Sequence, residues 1–401
     1  MKGKVFDMKE ILTQKIGTLP ASGIRKINEK ALAMERKGEN VIHLEIGRPD
    51  FDTPEYIKTA CKKSIDAGNV FYTANMGTVE LRTAIAEKLE KQNHVTYDPM
   101  TEILVSVGLS EAIFDVLSVI LEQGDEILVP DPVWMNYINL PKFMGAEPIT
   151  YSLKEENDYQ IDIDEIRAKI TEKTKALILI SPNNPTGGIL KKETLEKLAQ
   201  IAKEKGIYVM ADEVYERIIF DGEKHFSIAS FQGMKERTIT LNGFSKAYSM
   251  TGWRLGYVAA PKEIIAAANK VHQHLVTCAP SFVQAAGVIA LREEKDEVEN
   301  MVKEYQRRRD YLVDAINKIP GLSCNVPKGA FYLFVNVRKY HKSSEEIANY
   351  LLEEAKVALV PGSVFGKLGE GYIRLSYASS YENLVEAVAR ITKALSRLEH
   401  E

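Results

Sequence analysis

The feature that most constrains this chain is an alternation of short, largely apolar runs with longer amphipathic segments. Ile103–Val107, Glu126–Pro130, Ala176–Ile180, Tyr208–Met210, Thr238–Leu241 and Tyr257–Ala260 read as strands, and several are apolar throughout rather than every second residue. Between them lie helical patterns such as Lys192–Glu204, with Leu195, Leu198, Ile201 and Ala202 on one face. A strand that is apolar on both faces must be covered on both faces, and parallel neighbours need long crossovers, usually helices. The expected fold class is therefore α/β: a large three-layer α/β/α domain built on a mostly parallel sheet.

The C-terminal third has a different texture. A charged helix is expected over Glu293–Lys318, followed by strands at Ala330–Val335 and Tyr372–Tyr377. Ser343 and Glu346, three apart, form a capping-box pattern that starts a further helix. This part reads as a smaller α+β domain. No Pro- or Ser-rich linker separates it from the first, so the two should pack closely.

Charge and cysteine content exclude several classes of function. The chain of 401 residues carries 52 Lys and Arg against 56 Asp and Glu, a formal charge of -4, which gives no general drive towards nucleic acid. Cys61, Cys278 and Cys324 are odd in number and far apart, unlike a disulfide framework or a zinc site. His272 and His274 are two apart and so fall on different helix faces, and no metal is expected. The first ten residues lack an apolar core of the signal-peptide kind, and no apolar run approaches a membrane span. A cytoplasmic protein is expected.

In an open α/β sheet, ligands bind beyond the carboxyl ends of the strands. The Gly108-Leu109-Ser110 turn follows the first run and is either an anion site at a helix N-terminus or a plain strand–helix connection. Ser181–Gly188 contains two each of Pro, Asn and Gly, which makes either a rigid turn presenting an Asn amide or an ordinary surface turn. Asp212 ends an apolar run, where a carboxylate is costly unless it meets a cation or caps a helix. Ser245-Lys246 follows another buried run, with Arg254 eight positions on. Taken together these are the parts needed to hold pyridoxal phosphate: a lysine to bond it, an anion cradle, and a carboxylate for the ring nitrogen.

Seven motifs then make a specific resemblance. Gly47–Pro54 (GRPDFDTP), Tyr72–Arg82 (YTANMGTVELR), Ser181–Gly187 (SPNNPTG), Ala211–Tyr215 (ADEVY), Ser245–Gly256 (SKAYSMTGWRLG), Lys328–Tyr332 (KGAFY) and Tyr372–Tyr377 (YIRLSY) follow in order over nearly the whole chain. The chain resembles the class I/II pyridoxal-phosphate aminotransferases of fold type I, the group that includes aspartate and aromatic amino-acid aminotransferases. The resemblance implies a large cofactor domain over 48–283 and a small domain assembled from 1–47 and 284–401.

The resemblance also assigns roles. Lys246 matches the lysine that is linked to the cofactor and, once freed, moves the proton at the substrate α-carbon. Asp212 matches the partner of the ring nitrogen, and Asn184 and Tyr215 match the residues bonded to the ring's 3′-oxygen. Arg254, Ser245, Gly108, Leu109 and Ser110 resemble the phosphate cradle, and Trp134 the aromatic stacked on the ring. Tyr72 matches a tyrosine that reaches the neighbouring subunit's phosphate, which implies a homodimer with shared sites. Arg374 resembles the grip on the substrate α-carboxylate, with Gly47, Asn184 and Trp134 beside the substrate. The implied activity is ping-pong transfer of an amino group from an aromatic amino acid, aspartate or both to a 2-oxo acid such as 2-oxoglutarate.

Two departures qualify this picture. Gly243 stands where many relatives carry a second hydroxyl, so the cradle is expected to lean on Ser245 and Ser110. The stretch His272–Gln284 contains no arginine, where aspartate-specific relatives place one that reads the side-chain carboxylate across the dimer. The alternative activity on the same scaffold is a carbon–sulfur β-lyase. A ligand-sensing regulator is disfavoured, because only 46 residues precede Gly47 and they hold the family's ordinary first helix, roughly Gly23–Lys37.

Overall fold

A computed structural model of the chain describes residues 12–293 and 296–398. The expectation about the first ten residues, and residues 294 and 295 of the expected charged helix, lie outside the described residues. From the N-terminus the elements are α1 (Gly23–Glu35), β1 (Ile42–His43), α2 (Glu55–Asp66), α3 (Val79–Lys88), β2 (Ile103–Ser106), α4 (Leu109–Ile120), β3 (Glu126–Asp131), α5 (Asn136–Met144) and β4 (Glu147–Ser152). There follow α6 (Ile163–Lys169), β5 (Thr174–Ile180), α7 (Lys192–Lys205), β6 (Tyr208–Asp212), β7 (Thr238–Gly243), β8 (Gly256–Ala259), α8 (Lys262–Leu275) and α9 (Ser281–Arg292). The last part holds α10 (Glu297–Asn317), β9 (Tyr332–Asn336), α11 (Ser344–Ala355), β10 (Val357–Ala358), β11 (Val360–Pro361), β12 (Tyr372–Ser376) and α12 (Tyr381–Leu398).

The large sheet has seven strands in the order β2-β8-β7-β6-β5-β3-β4. All neighbours are parallel except those of β8, which runs antiparallel to both β2 and β7. Successive strand side chains point to opposite faces, and here both faces are buried. Ile178 and Met210 pack with Ile113 and Val116 of α4 and Ile265 of α8 on one side. Their neighbours Leu177, Leu179 and Val209 pack with Leu195, Leu198 and Ile201 of α7 on the other. This is the three-layer α/β/α arrangement expected from runs that are apolar throughout. Edge strand β4 was not among the expected strands, because its sequence EPITYS mixes exposed and buried positions and includes Pro148, which a sheet edge tolerates.

A second sheet, β11-β12-β9, is antiparallel and packs with α10, α11 and α12 around Leu312, Ile347, Leu351, Leu384 and Ile391. The capping box is present as expected, with the Ser343 hydroxyl accepting from the Glu346 N–H and the Glu346 carboxylate accepting from the Ser343 N–H. The N-terminal segment joins this unit: β1 pairs in parallel with β10, and Ile27 and Ala31 of α1 pack with Leu352 and Ala358. Helix α9 goes the other way. Its Val283, Ala286 and Ala290 pack with Ile57 of α2 and Leu81 and Ile85 of α3, so the expected boundary after residue 283 falls inside a helix that packs on the larger unit. No helix of the described residues is long and apolar enough to cross a membrane.

Candidate active site

The loops that leave the large sheet converge on one cavity of about 300 Å³. Asn184 reaches it from the turn after β5, Asp212 from the end of β6, and Ser245 and Lys246 from just beyond β7. Leu109 and Ser110 come from the turn after β2, Trp134 from the connection after β3, and Arg254 from the lead into β8. The second sheet closes the far side with Tyr332 of β9 and Arg374 of β12, and the N-terminal segment adds Gly47. Every site residue named from the sequence lines this cavity or abuts it, with the exception of Tyr72.

Close approach of backbones shapes the Gly108 end of the cavity. Gly108 precedes α4 with φ of 79° and gives the helix no side-chain cap, which leaves first-turn N–H groups for a ligand. A Cβ at Gly108 would lie 2.4 Å from a guanidinium nitrogen of Arg254, so glycine is what lets the arginine lie against the turn. Gly243 also has a local reason. A Cβ there would meet the Gly256 and Leu255 backbones at 3.1 Å, so any side chain at 243 would have to shift main chain by a few tenths of an ångström.

The two central titratable groups are both buried and both displaced. Burial lowers the Lys246 amine to about 8, and the nearby Arg374 charge pushes the same way. The ammonium donates to the Gly47 carbonyl at 2.6 Å, with the Tyr215 and Phe331 rings 5.6 and 5.7 Å away. Burial raises the Asp212 carboxyl to about 6. The Tyr137 hydroxyl donates to it at 2.7 Å and the Val214 N–H at 3.1 Å, and both favour the ionised form.

Arg374 is fully buried between aromatic faces, 4.4 Å from the Tyr332 ring centre and 4.9 Å from that of Phe365. It donates to the Asn184 side-chain oxygen at 3.1 Å and to the Glu45 carbonyl at 2.5 Å, while its Nε has no partner. The Tyr215 hydroxyl shares a hydrogen bond of 2.7 Å with Tyr332. Tyr72 lies elsewhere, 86% exposed beside a separate surface hollow.

Sequence reasoning missed Tyr137, which lies 75 residues from Asp212 on α5 and carries no local sign of that contact. Tyr332 fell within the KGAFY motif without a role. Arg48 and Thr251, inside the GRPDFDTP and SKAYSMTGWRLG motifs but without a role there, also line the cavity, as does Ile24, which only the fold brings there.

These residues fit pyridoxal phosphate. Asp212 is a buried carboxylate with no ion pair among the described residues, suited to a protonated ring nitrogen. Ser110, Ser245, Arg254 and the start of α4 supply donors for a dianion. The free Nε of Arg374 suits a carboxylate.

Comparison with known proteins agrees. The family described as aminotransferase class I and II matches residues 39–391. The chain is 47% identical over 386 residues to an aspartate aminotransferase of Pyrococcus abyssi, covering 96% of this chain and 98% of that protein. It is 43% identical to aromatic-amino-acid aminotransferase 2 of Thermococcus litoralis, with the same coverage. Among solved structures, aspartate aminotransferase from Thermus thermophilus with maleate superposes with a TM-score of 0.92 at 37% identity, covering 96% of this chain and 99% of that one.

Proposed function

The chain belongs to the class I and II aminotransferases, pyridoxal-phosphate enzymes of fold type I, and on that premise we propose a broad-range enzyme. It moves the amino group of aspartate, an aromatic amino acid, or both, to a 2-oxo acid such as 2-oxoglutarate. It works in the cytoplasm as a homodimer with shared sites, with a large domain from about residue 48 and a small one assembled from both chain ends. The names of the relatives above, one acting on aspartate and one on aromatic amino acids, favour that range. The three free cysteines favour a reducing compartment. The exposed Phe71 and Tyr72, 80% and 86%, favour a partner subunit over that loop.

The observation that carries the assignment of roles is the meeting of Lys246, Asp212, Asn184, Tyr215, Arg254 and Arg374 in and around one cavity. When bound, pyridoxal phosphate supplies an aldehyde carbon for the substrate amine and a ring that accepts the electron pair released at the α-carbon. Arg254, Ser245 and Ser110 hold its phosphate. Asp212 would keep a proton on the ring nitrogen, since a nearby carboxylate favours the charged ring. Asn184 and Tyr215 would hold the 3′-oxygen, and Trp134 would pack against the ring.

Arg374 holds the substrate α-carboxylate by two parallel donors. Lys246, the buried amine beside it, would take the substrate α-proton and hold it for return. An amine lowered to about 8 is suited to this, because its neutral and charged forms are both accessible near neutral pH. The second half-reaction runs these proton moves in reverse on the oxo acid.

A panel of amino donors against 2-oxoglutarate, followed by cofactor absorbance in each half-reaction, tests the proposal. Comparable rates with aspartate and phenylalanine are expected. Pyruvate and ammonia from a cysteine-type donor, with no oxo acid present, would point instead to a lyase.

A further inference from the structure

The charged residues lining the cavity are Arg48, Asp212, Lys246, Arg254 and Arg374, four cations against one carboxylate. Three of the cations have a task above: Arg254 meets a phosphate, Lys246 moves the α-proton, and Arg374 meets an α-carboxylate. Arg48 has none. Its side chain is exposed, and no hydrogen bond or ion pair engages it among the described residues.

Its backbone, in contrast, is fixed beside the reacting groups. The Gly47 carbonyl accepts from Lys246 at 2.6 Å and the Glu45 carbonyl accepts from Arg374 at 2.5 Å. A side chain leaving the chain at residue 48 therefore starts next to both groups that meet the α-carbon end of a substrate. Among the described residues, the N-terminal part also places Ile24, an apolar side chain, in the lining of this cavity. The stretch 272–284 offers no arginine for a side-chain carboxylate.

We propose, on the footing of the transaminase assignment above, that Arg48 determines specificity by pairing with the side-chain carboxylate of a dicarboxylic substrate such as aspartate, glutamate or 2-oxoglutarate. A long arginine with no partner among the described residues carries a planar set of donors matched to a carboxylate. Its apolar stem can lie along the wall beside Ile24 when an aromatic side chain occupies the same space. One residue thus admits both substrate kinds.

The test uses the holoenzyme and its R48L and R48K variants. Cofactor absorbance is titrated with succinate, a dicarboxylate without an amino group, and with 3-phenylpropionate, its monocarboxylic aromatic counterpart. Half-reaction rates are measured with glutamate and phenylalanine. In R48L the ratio of succinate to 3-phenylpropionate affinity should fall about tenfold or more, and the glutamate-to-phenylalanine ratio of kcat/KM should fall with it. R48K, which keeps the charge and loses the fork, should lie between. In the unaltered enzyme, added salt should weaken succinate more than 3-phenylpropionate, because the second ion pair is exposed. Unchanged ratios in R48L, or equal salt sensitivity of the two ligands, would overturn the role of Arg48. Succinate binding is read without turnover. Failure of the transaminase assignment would show separately, as no half-reaction with any donor.

Discussion

At the scale of single residues, the site works by placing ionisable groups where water cannot set their protonation. Lys246 is lowered to about 8 mainly by burial. The neutral, nucleophilic amine therefore gains about tenfold per pH unit below that value and levels off above it. In the apoprotein, the rate of cofactor recapture should rise with pH and flatten near 8, whereas an unperturbed lysine would keep rising past 10. Stopped-flow absorbance across pH 6 to 10 would follow it. Asp212 offers a second prediction. Tyr137 donates to its carboxylate at 2.7 Å and favours the ionised form. In Y137F that support is lost, so the carboxyl moves further up and the acid limb of kcat shifts to higher pH. The net loss is about 1 kcal/mol, or several-fold in rate at the acid end. An acid limb that stays in place would show that Tyr137 does not support Asp212.

At the scale of elements, the proposed phosphate cradle is a meeting of the backbones at Gly108, Gly243 and Gly256, so its weakest points are glycines. Gly108 has φ of 79° and an arginine guanidinium 2.4 Å from where a Cβ would be. Gly206 ends α7 with φ of 69° and open space around it. G206A should cost only the left-handed strain, about 1–2 kcal/mol, read as a lower Tm with cofactor affinity kept. G108A should carry similar strain and in addition displace Arg254, weakening cofactor retention about tenfold or more. Equal cofactor affinity in the two variants would separate Arg254 from the cradle.

The same elements mark what was legible in the sequence. Strands β2, β3, β5, β6, β7 and β8 were readable because burial on both faces leaves an apolar run that no exposed element needs. The cavity-lining residues just after them were readable because the sheet's carboxyl ends are where ligands bind. Antiparallel β8 and edge strand β4 were not readable as such, since direction and edge position depend on partners far along the chain. Nor was the allegiance of α9, whose apolar face fits a partner on either side of the boundary. Tyr137 enters the site only through tertiary placement, whereas Arg48 stood unassigned beside Gly47 in its motif.

At the scale of the whole molecule, one subunit carries nearly all of the proposed site but not Tyr72. That residue is 86% exposed on the loop after α2, away from its own cavity. If two copies pair so that each Tyr72 reaches the partner's phosphate, a defect in Lys246 and a defect in Tyr72 belong to different sites of a hybrid. In a dimer of one K246A and one Y72A subunit, the cavity that keeps Lys246 receives Tyr72 from the K246A copy, and that site is whole. The opposite cavity lacks both. Random pairing of equal amounts makes about half the dimers hybrid, each with one intact site of two, so co-refolded protein should recover about a quarter of the unaltered specific activity. That value should exceed the mean of the two parents, because K246A homodimers lack the proton-transferring amine and Y72A homodimers hold cofactor weakly. A monomeric enzyme, or one whose Tyr72 serves no neighbouring site, gives only the mean. Sedimentation of the same mixture fixes the dimer fraction, so weak pairing and an idle Tyr72 are told apart.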